Sequence, residues 1–295
     1  MHADEVEIGP SLVGRLLAAQ FPQWADLPLT AVEPRGTDNA LYRLGCDMVV
    51  RLPRRERTVV TLEKELAWLP AIAPFVPLAV PALVATGAPT DEFAWTWAVY
   101  SWLDGENATA ARLADPRQTA LDLAGFLAAL QQIDPAGGPG PGEHNFFRGE
   151  PLARRDAGVR ASIETLGGEL DAAAVTALWE EAVGAPEWDR PGLWIHGDLD
   201  SRNLLAAEGR LCAVIDWGSL GVGDPACDVM AAWKVLTAEG RETFRAALSV
   251  DDATWQRARG WALSQALGAL SYYTLETNEV LVREAERWLA EVLTG

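Results

Sequence analysis

Two different spacings of apolar residues divide the first hundred positions into strands and helices. Apolar residues over 41–44 and 48–52 flank the turn residues Gly45, Cys46 and Asp47, which predicts a β-hairpin. From about Thr58 the apolar positions recur every three to four residues, which predicts a helix that ends at Pro70. A first helix is predicted over residues 11–20, and the aromatic run over 93–100 predicts a central strand.

After Glu106 the apolar spacing becomes mainly helical. It predicts one helix that stops at Asp134 and further helices at roughly 171–183, 226–237, 253–270 and 280–293. A single hairpin interrupts them, with strands over 203–206 and 211–215 and a turn at Glu208 and Gly209. The Pro- and Gly-rich segment 134–142 predicts a mobile loop.

The balance of charge restricts the classes of partner. The 295 residues include 42 acidic and 24 basic side chains, a net charge of −18. A surface of this sign repels nucleic acid and anionic membranes, so neither is expected as a partner, whereas a polycationic substrate could be attracted. No apolar run approaches the ~18 residues that cross a bilayer, and the acidic N-terminal segment lacks the apolar core of a signal peptide. The expected compartment is the cytoplasm.

The predicted hairpin carries the residues with the clearest chemistry. The segment H-G-D-L-D-S-R-N-L-L over 196–205 is followed by V-I-D-W-G over 214–218, which brings Asp198, Asn203 and Asp216 into one pattern. A phosphoryl transfer needs one carboxylate to orient the acceptor hydroxyl, and an amide oxygen and a second carboxylate to hold Mg²⁺ against the phosphates. Protein kinases have the same order in H-R-D-x-x-x-x-N and D-F-G.

These residues resemble the aminoglycoside phosphotransferase family, a branch of the protein-kinase-like fold. The resemblance continues into G-D-P-A-C-D over 223–228 and reaches upstream to residues 36–40 and 49–53. It implies an α+β, two-lobed protein-kinase-like fold. The small β-rich N-lobe would cover residues 1–100, the hinge residues 101–105, and the larger helical C-lobe residues 106–295.

The resemblance also implies roles for the motif residues. Asp198 is expected to be the catalytic base, and Asn203 and Asp216 are expected to hold Mg²⁺. His196 is expected to orient the catalytic loop rather than to exchange protons. Asp228 resembles the buried aspartate that braces the same loop in this family.

Arg51 occupies the strand position where kinases place the lysine that binds the nucleotide phosphates. Arginine departs from the aminoglycoside kinases that carry lysine. The segment V-V-R-L-P-R over 49–54 resembles the macrolide phosphotransferases, whose corresponding strand reads V-L-R-x-P-R. We expect Arg51 to bind the phosphates of ATP or GTP with Glu65 as its helix partner, or Glu63 as the alternative. The competing interpretation is an ordinary surface residue on a strand.

Two further segments are expected to contact the nucleotide. The loop that begins with Gly36 and Thr37 takes the place of the kinase glycine-rich loop, although one glycine alone is a weak phosphate-loop signal. The resemblance places the hinge at Ser101 and Leu103, whose backbone groups would bond the purine base. Backbone recognition does not distinguish ATP from GTP.

The expected reaction is transfer of the nucleotide γ-phosphate to a hydroxyl of a small molecule, most simply an aminoglycoside-like compound. A macrolide kinase is the first alternative, and choline-, homoserine- or sugar-kinase-like activity shares the same motif set. A pseudokinase that binds its ligand without turnover is favoured by Arg51 and the glycine-poor loop, but opposed by the intact acidic motif. A protein kinase is disfavoured, because no A-P-E segment follows Asp216.

Overall fold

The computed structural model describes residues 7–33, 38–108, 112–168 and 170–295. The chain forms two compact units. The first consists of residues 1–74, 79–104 and 213–218, and the second of residues 75–78, 105–212 and 219–295. The chain passes from the first unit to the second between Asp104 and Gly105. The segment 213–218, which contains Asp216, belongs to the first unit.

The first unit is built on an antiparallel sheet. Its helices and strands are α1 (Pro10–Gln20), β1 (Leu29–Ala31), β2 (Asn39–Leu44), β3 (Met48–Pro53), α2 (Glu56–Ile72), β4 (Leu83–Gly87) and β5 (Trp97–Ser101). The strands follow the order β1-β2-β3-β5-β4. The predicted hairpin is confirmed, because β2 pairs with β3 with Leu44 opposite Met48.

The core of the first unit fills one face of this sheet. Leu44, Val50, Leu52 and Trp97 are fully buried there together with Val13 of α1. Each fully buried apolar side chain of this size contributes about 1.5–3 kcal/mol relative to exposure. The strand that carries position 51 is therefore rigidly supported by the residues on either side of it.

Two of the boundaries that differ from the sequence prediction have a visible physical reason. The aromatic strand begins at Trp97 rather than at Phe93, because Phe93 closes a turn in which it exchanges backbone hydrogen bonds with Thr90. The helix α2 passes through Pro70 and ends at Ile72. Proline so near the C-terminal end removes one helical hydrogen bond without breaking the earlier turns.

The second unit is mainly helical. Its helices and strands are β6 (Glu106–Asn107), α3 (Pro116–Gln131), α4 (Asp156–Leu166), α5 (Ala172–Gly184), β7 (Leu193–Ile195), β8 (Leu204–Ala207), β9 (Arg210–Val214), β10 (Gly221–Gly223), α6 (Ala226–Val229), α7 (Ala231–Lys234), α8 (Ala238–Leu248), α9 (Asp252–Tyr272) and α10 (Leu275–Thr294). The last two residues of β9 belong to the first unit. The helix predicted over 226–237 is in fact two short helices, α6 and α7.

The Pro- and Gly-rich segment 134–142 is bonded to the strands beside it, contrary to the mobile loop predicted. The Pro139 carbonyl accepts a 2.8 Å hydrogen bond from the Val222 N–H of β10, and the Asp134 carbonyl accepts from Trp194 Nε1 at 3.0 Å. A Cβ at Gly138 would lie 2.5 Å from the Val222 side chain. Glycine at position 138 thus permits a close approach to the sheet. Among the described residues, no helix is both long and apolar enough to cross a membrane.

Candidate active site

The loop between β7 and β8 carries the predicted catalytic base. The Asp198 side chain is 27% exposed, so its carboxylate can reach a ligand. Asn203 is buried, and its Nδ2 donates to the Asp198 backbone carbonyl at 2.7 Å and to Asp198 Oδ2 at 3.2 Å. These two bonds orient the amide nitrogen of Asn203 toward Asp198, so the amide oxygen of Asn203 faces the opposite way. The structure thus brings the first two motif residues together.

The backbone that precedes Asp198 is fixed by a buried carboxylate. Asp228 accepts hydrogen bonds from the backbone N–H groups of His196 at 2.6 Å and Gly197 at 2.8 Å. Burial raises the pKa of Asp228, while His196 and the two N–H donors oppose that rise. The Asp198 N–H in turn donates to Nδ1 of His196 at 3.2 Å. These contacts fit bracing and orienting roles for Asp228 and His196.

Gly197 stands where protein kinases have arginine, and its conformation explains the exchange. Its φ is +85°, and a Cβ at this position would lie 2.5 Å from the Ser219 carbonyl oxygen. A side chain would therefore have to adopt the left-handed region and displace the backbone that follows Asp216 in sequence. The loop holds this geometry only with glycine.

We expect Gly197→Ala to lower the free energy of unfolding by at least about 1–3 kcal/mol, because the change adds backbone strain and a clash. Urea unfolding followed by circular dichroism would measure this effect. The matched control is Gly125→Ala in α3, where a Cβ meets nothing within 4 Å and alanine is the better helix former. Equal stability of the two variants would contradict the strain at Gly197.

A group of charged residues around Asp198 was not predicted from the sequence. Asp200 is fully buried, and its carboxylate accepts hydrogen bonds from Arg202 Nε at 3.0 Å and from Arg202 Nη2 at 2.6 Å. Lys234 Nζ lies 3.3 Å from Asp200 Oδ2, and Arg148 Nη2 lies 3.6 Å from Asp198 Oδ1. A lysine inside the apolar segment 229–236 was a readable sign of a buried cation. Nothing in the local sequence marks Arg148.

In the first unit, Arg51 is paired with a glutamate of α2. Its Nη1 donates to both carboxylate oxygens of Glu65, at 2.9 and 2.7 Å, and the Glu65 side chain is 1% exposed. The alternative partner, Glu63, is exposed. Of the two glutamates, Glu65 is thus the one that contacts Arg51.

The other side of the Arg51 guanidinium faces Asp216. Nη2 lies 3.5 Å from Asp216 Oδ1, and the amide oxygen of Asn39, turned toward Arg51, accepts from its Nε and Nη2 at 3.2 and 3.1 Å. Burial alone would lower the pKa of Arg51, but Glu65 and Asp216 outweigh it and raise that pKa above its usual range. The guanidinium therefore stays charged, and it is not the solvated surface residue of the competing interpretation.

Asp216 has an unusual backbone conformation for a residue with a side chain. Its φ is +60°, and its carboxylate is 57% exposed. Aspartate and asparagine tolerate the left-handed region better than most residues, because their short side chains bond locally. The conformation leaves this carboxylate open to solvent although its neighbour Trp217 is fully buried.

The remaining predicted nucleotide contacts are only partly described. The Ser101 N–H donates to the Ala82 carbonyl at 2.8 Å, and the Ser101 hydroxyl accepts from the Ala82 N–H at 3.0 Å. A ligand would therefore use other backbone groups of the segment that contains Ser101 and Leu103. Gly36 and Thr37 lie outside the described residues.

The predicted metal ligands suit Mg²⁺ chemically. Asp216 offers a carboxylate and Asn203 an amide oxygen, both hard oxygen donors of the type that Mg²⁺ prefers. Within the described ranges, no group of three or more His, Cys, Asp or Glu residues could hold a metal ion by itself.

Comparison with solved structures supports a shared fold. The GDP complex of wild-type aminoglycoside 2'-phosphotransferase-IIIa is similar with a TM-score of 0.76 and 19% identity, and the alignment covers 97% of this chain and 99% of that one. The GDP and kanamycin complex of APH(2")-IIIa gives 0.73 and 20%, with 96% and 98% covered. The macrolide 2'-phosphotransferase MphH from Brachybacterium faecium gives 0.63 and 23%, with 96% and 98% covered.

These similarities confirm the α+β, kinase-like fold class that the sequence resemblance implied. No protein of curated function matches the chain in sequence. The sequence model of the phosphotransferase enzyme family, however, matches residues 31–261. That match spans well over half of the chain, and the chain therefore belongs to the phosphotransferase enzyme family.

Proposed function

We propose that this protein transfers the γ-phosphate of ATP or GTP to a hydroxyl of a small molecule, with Asp198 as the catalytic base. The observation that carries the proposal is the Asp198 carboxylate, partly exposed yet bonded through Oδ2 to Asn203. Its backbone is held by His196, and the loop before it is held by Asp228. A base that must align one hydroxyl needs both access and a fixed position.

Asp198 accepts the proton of the acceptor hydroxyl as the bond from its oxygen to the γ-phosphorus forms, while the bond from that phosphorus to the β-phosphate oxygen breaks and nucleoside diphosphate leaves. The Asn203 amide restrains the Asp198 carboxylate through Oδ2, so the hydroxyl approaches a group whose orientation is already set. Positioned general bases contribute about 10²- to 10⁴-fold in rate. Most of the remaining catalysis in this class of reaction comes from alignment and charge stabilisation.

Asn203 and Asp216 are the residues that would hold Mg²⁺. When bound, Mg²⁺ neutralises the charge on the β- and γ-phosphates. Arg51 would bind the phosphates through its planar guanidinium, and Glu65 keeps that group in place. The 3.5 Å distance between Arg51 and Asp216 supports the assignment of both residues to the phosphate side of the reaction.

The purine base would be bound by backbone groups near the end of β5. Because the Ser101 N–H is already bonded to Ala82, we assign the Ser101 carbonyl and the Leu103 N–H to the base. Gly36 and Thr37 remain predicted phosphate contacts. We assign the reaction to the cytoplasm, where its nucleoside triphosphate co-substrate is supplied.

For the acceptor, we propose an aminoglycoside-like compound. The net charge of −18 favours approach of a polycation, and a structural relative of similar length was solved with kanamycin. A macrolide is the second candidate, because Arg51 and the V-V-R-L-P-R segment over 49–54 resemble macrolide phosphotransferases, and MphH shares the fold.

A panel assay tests these assignments. Purified protein is incubated with ATP or GTP, Mg²⁺ and one acceptor at a time: aminoglycosides, macrolides, choline, homoserine and sugars. Release of nucleoside diphosphate and the mass of the acceptor are measured together. A gain of one phosphate on an aminoglycoside supports the first proposal. Nucleotide binding without transfer to any acceptor would favour the pseudokinase instead.

We expect Arg51→Ala to raise the nucleotide KM and to lower kcat together, because the guanidinium both binds and orients the phosphates. Arg51→Lys should recover only part of the loss, since an ammonium cannot make the paired hydrogen bonds of a guanidinium. Steady-state kinetics with varied nucleotide measure both constants. Unchanged nucleotide KM in Arg51→Ala would contradict the phosphate assignment.

A further inference from the structure

Lys234, the last residue of α7, is a fully buried lysine beside the catalytic loop. Its Nζ lies 2.8 Å from Gln265 Oε1 of α9 and 3.3 Å from Asp200 Oδ2. The same nitrogen lies 3.9 Å from Asp198 Oδ1 and 4.3 Å from the ring centre of Trp288 in α10. One ammonium group thus links two carboxylates of the loop to two long helices.

A buried ammonium is costly unless it is paired, because the protein interior solvates charge poorly. The two carboxylates within 4 Å of Lys234 both belong to the segment 198–200. Arg202 Nη2 and Lys234 Nζ lie 2.6 and 3.3 Å from the same oxygen, Oδ2 of Asp200, and Arg202 Nε lies 3.0 Å from Oδ1. The Asp200 carboxylate is thus held between two basic side chains, one on its own loop and one on α7.

Asp200 also organises the backbone between the base and the metal ligand. Its Oδ1 accepts from the Arg202 N–H at 2.9 Å, and its carbonyl accepts from the Asn203 N–H at 3.1 Å. A residue that fixes the Asp200 side chain therefore fixes the turn that connects Asp198 to Asn203.

We propose that Lys234 is a positioning residue for the phosphoryl transfer, and that it sets the place of the Asp198–Asn203 turn by pairing with Asp200. The inference rests on the proposed function, since it takes Asp198 as the base. Lys234 is fully buried and acts through the loop rather than on the substrate. Gln265 and Trp288 hold the ammonium from the side of the helices.

The first test compares Lys234→Met with a second variant, which loses a buried cation whose ion pair does not contact the loop. Methionine keeps the length and apolar stem of lysine and removes its charge. The matched control is Arg241→Met, which removes a cation that is 4% exposed and paired with Glu291 at 2.6 Å. We expect kcat to fall about 10- to 100-fold in Lys234→Met, because a displacement of about 1 Å at a reacting group has that effect.

The nucleotide KM of Lys234→Met should rise together with the fall in kcat, because the turn that Lys234 positions also carries Asn203, a predicted Mg²⁺ ligand. The control Arg241→Met should lose thermal stability and keep its kcat. A general loss of folded protein would instead affect both variants alike.

The second test follows the loop itself by hydrogen exchange, which needs no activity. The amides of Arg202 and Asn203 should exchange at least about tenfold faster in Lys234→Met and at the wild-type rate in Arg241→Met. If Lys234→Met does not fold, Gln265→Leu removes the hydrogen bond that anchors the ammonium without altering the loop. The same faster exchange is expected in that variant.

The outcomes separate the inference from the proposed function. Wild-type protein without phosphotransfer to any acceptor would defeat the proposed function, and the exchange rates would still decide whether Lys234 holds the turn. Lys234→Met with more than half of the wild-type kcat, or with wild-type exchange at residues 202 and 203, overturns the positioning role.

Discussion

Replacing Asp198 by alanine is expected to reduce kcat by about 10²- to 10⁴-fold while nucleotide affinity stays near the wild-type value. In the proposed mechanism Asp198 acts on the acceptor hydroxyl, whereas Arg51 and Asp216, which are assigned to the phosphates and to Mg²⁺, lie in the other compact unit. Of the residues assigned to the nucleotide or its metal, Asn203 is in the same unit as Asp198, and its amide oxygen stays available in the alanine variant. Single-turnover phosphotransfer measures the rate, and calorimetric titration with a nonhydrolysable nucleotide measures the affinity.

Asp198→Asn is the matched control for shape. Asparagine has the same size as aspartate and lacks only its charge and basicity. The kcat of Asp198→Asn should therefore fall into the same range as that of Asp198→Ala. More than about a tenth of the wild-type kcat in either variant would remove Asp198 from the role of base. Circular dichroism of both proteins excludes unfolding as the cause of a loss.

Asp216→Asn is expected to weaken Mg²⁺-dependent nucleotide binding and to lower the rate. The substitution replaces a charged oxygen ligand by a neutral amide, and loss of even an indirect metal contact costs about 10- to 100-fold in metal affinity. Nucleotide titrations with and without Mg²⁺ measure the difference. If the nucleotide affinity of Asp216→Asn depended on Mg²⁺ concentration in the same way as that of the wild type, the metal assignment would be wrong.

Asp216→Ala separates the metal role from the backbone. Alanine at φ +60° carries a strain of about 1–2 kcal/mol that asparagine largely avoids, so the alanine variant should unfold at a lower temperature. If both variants lose Mg²⁺-dependent binding while only alanine loses stability, the chemical and conformational effects are distinct.

Elements defined by local signals agree with the sequence prediction. The hairpin of β2 and β3 has its turn at Gly45 to Asp47, and α3 has a continuous apolar stripe. The boundaries that failed depend on context. Phe93 has the strand propensity of its neighbours but closes a turn with Thr90, and Pro70 is accommodated because its helix ends two residues later. The missed helix α4 had a readable stripe of Val159, Ile163 and Leu166.

The residues of the candidate site also divide into those that a local sequence signal predicts and those that depend on tertiary packing. Asp198, Asn203 and Asp216 were predicted because their order and spacing form a motif, and Glu65 because it lies one residue from the apolar stripe of α2. Arg148 and Lys234 come from distant segments that only tertiary packing brings to the loop. Their contacts could not be read from the spacing of residues along the chain.

The left-handed conformation of Asp216 has a genetic consequence. A single base change in either aspartate codon gives asparagine, and asparagine is also a residue that accepts φ +60° with little strain. The mutational step that removes the charge of this proposed metal ligand is therefore one that the fold tolerates. A gene of this kind could lose catalysis in one event and still encode a folded protein. Purifying selection against the change to asparagine would have to act through activity, because that change has little effect on stability.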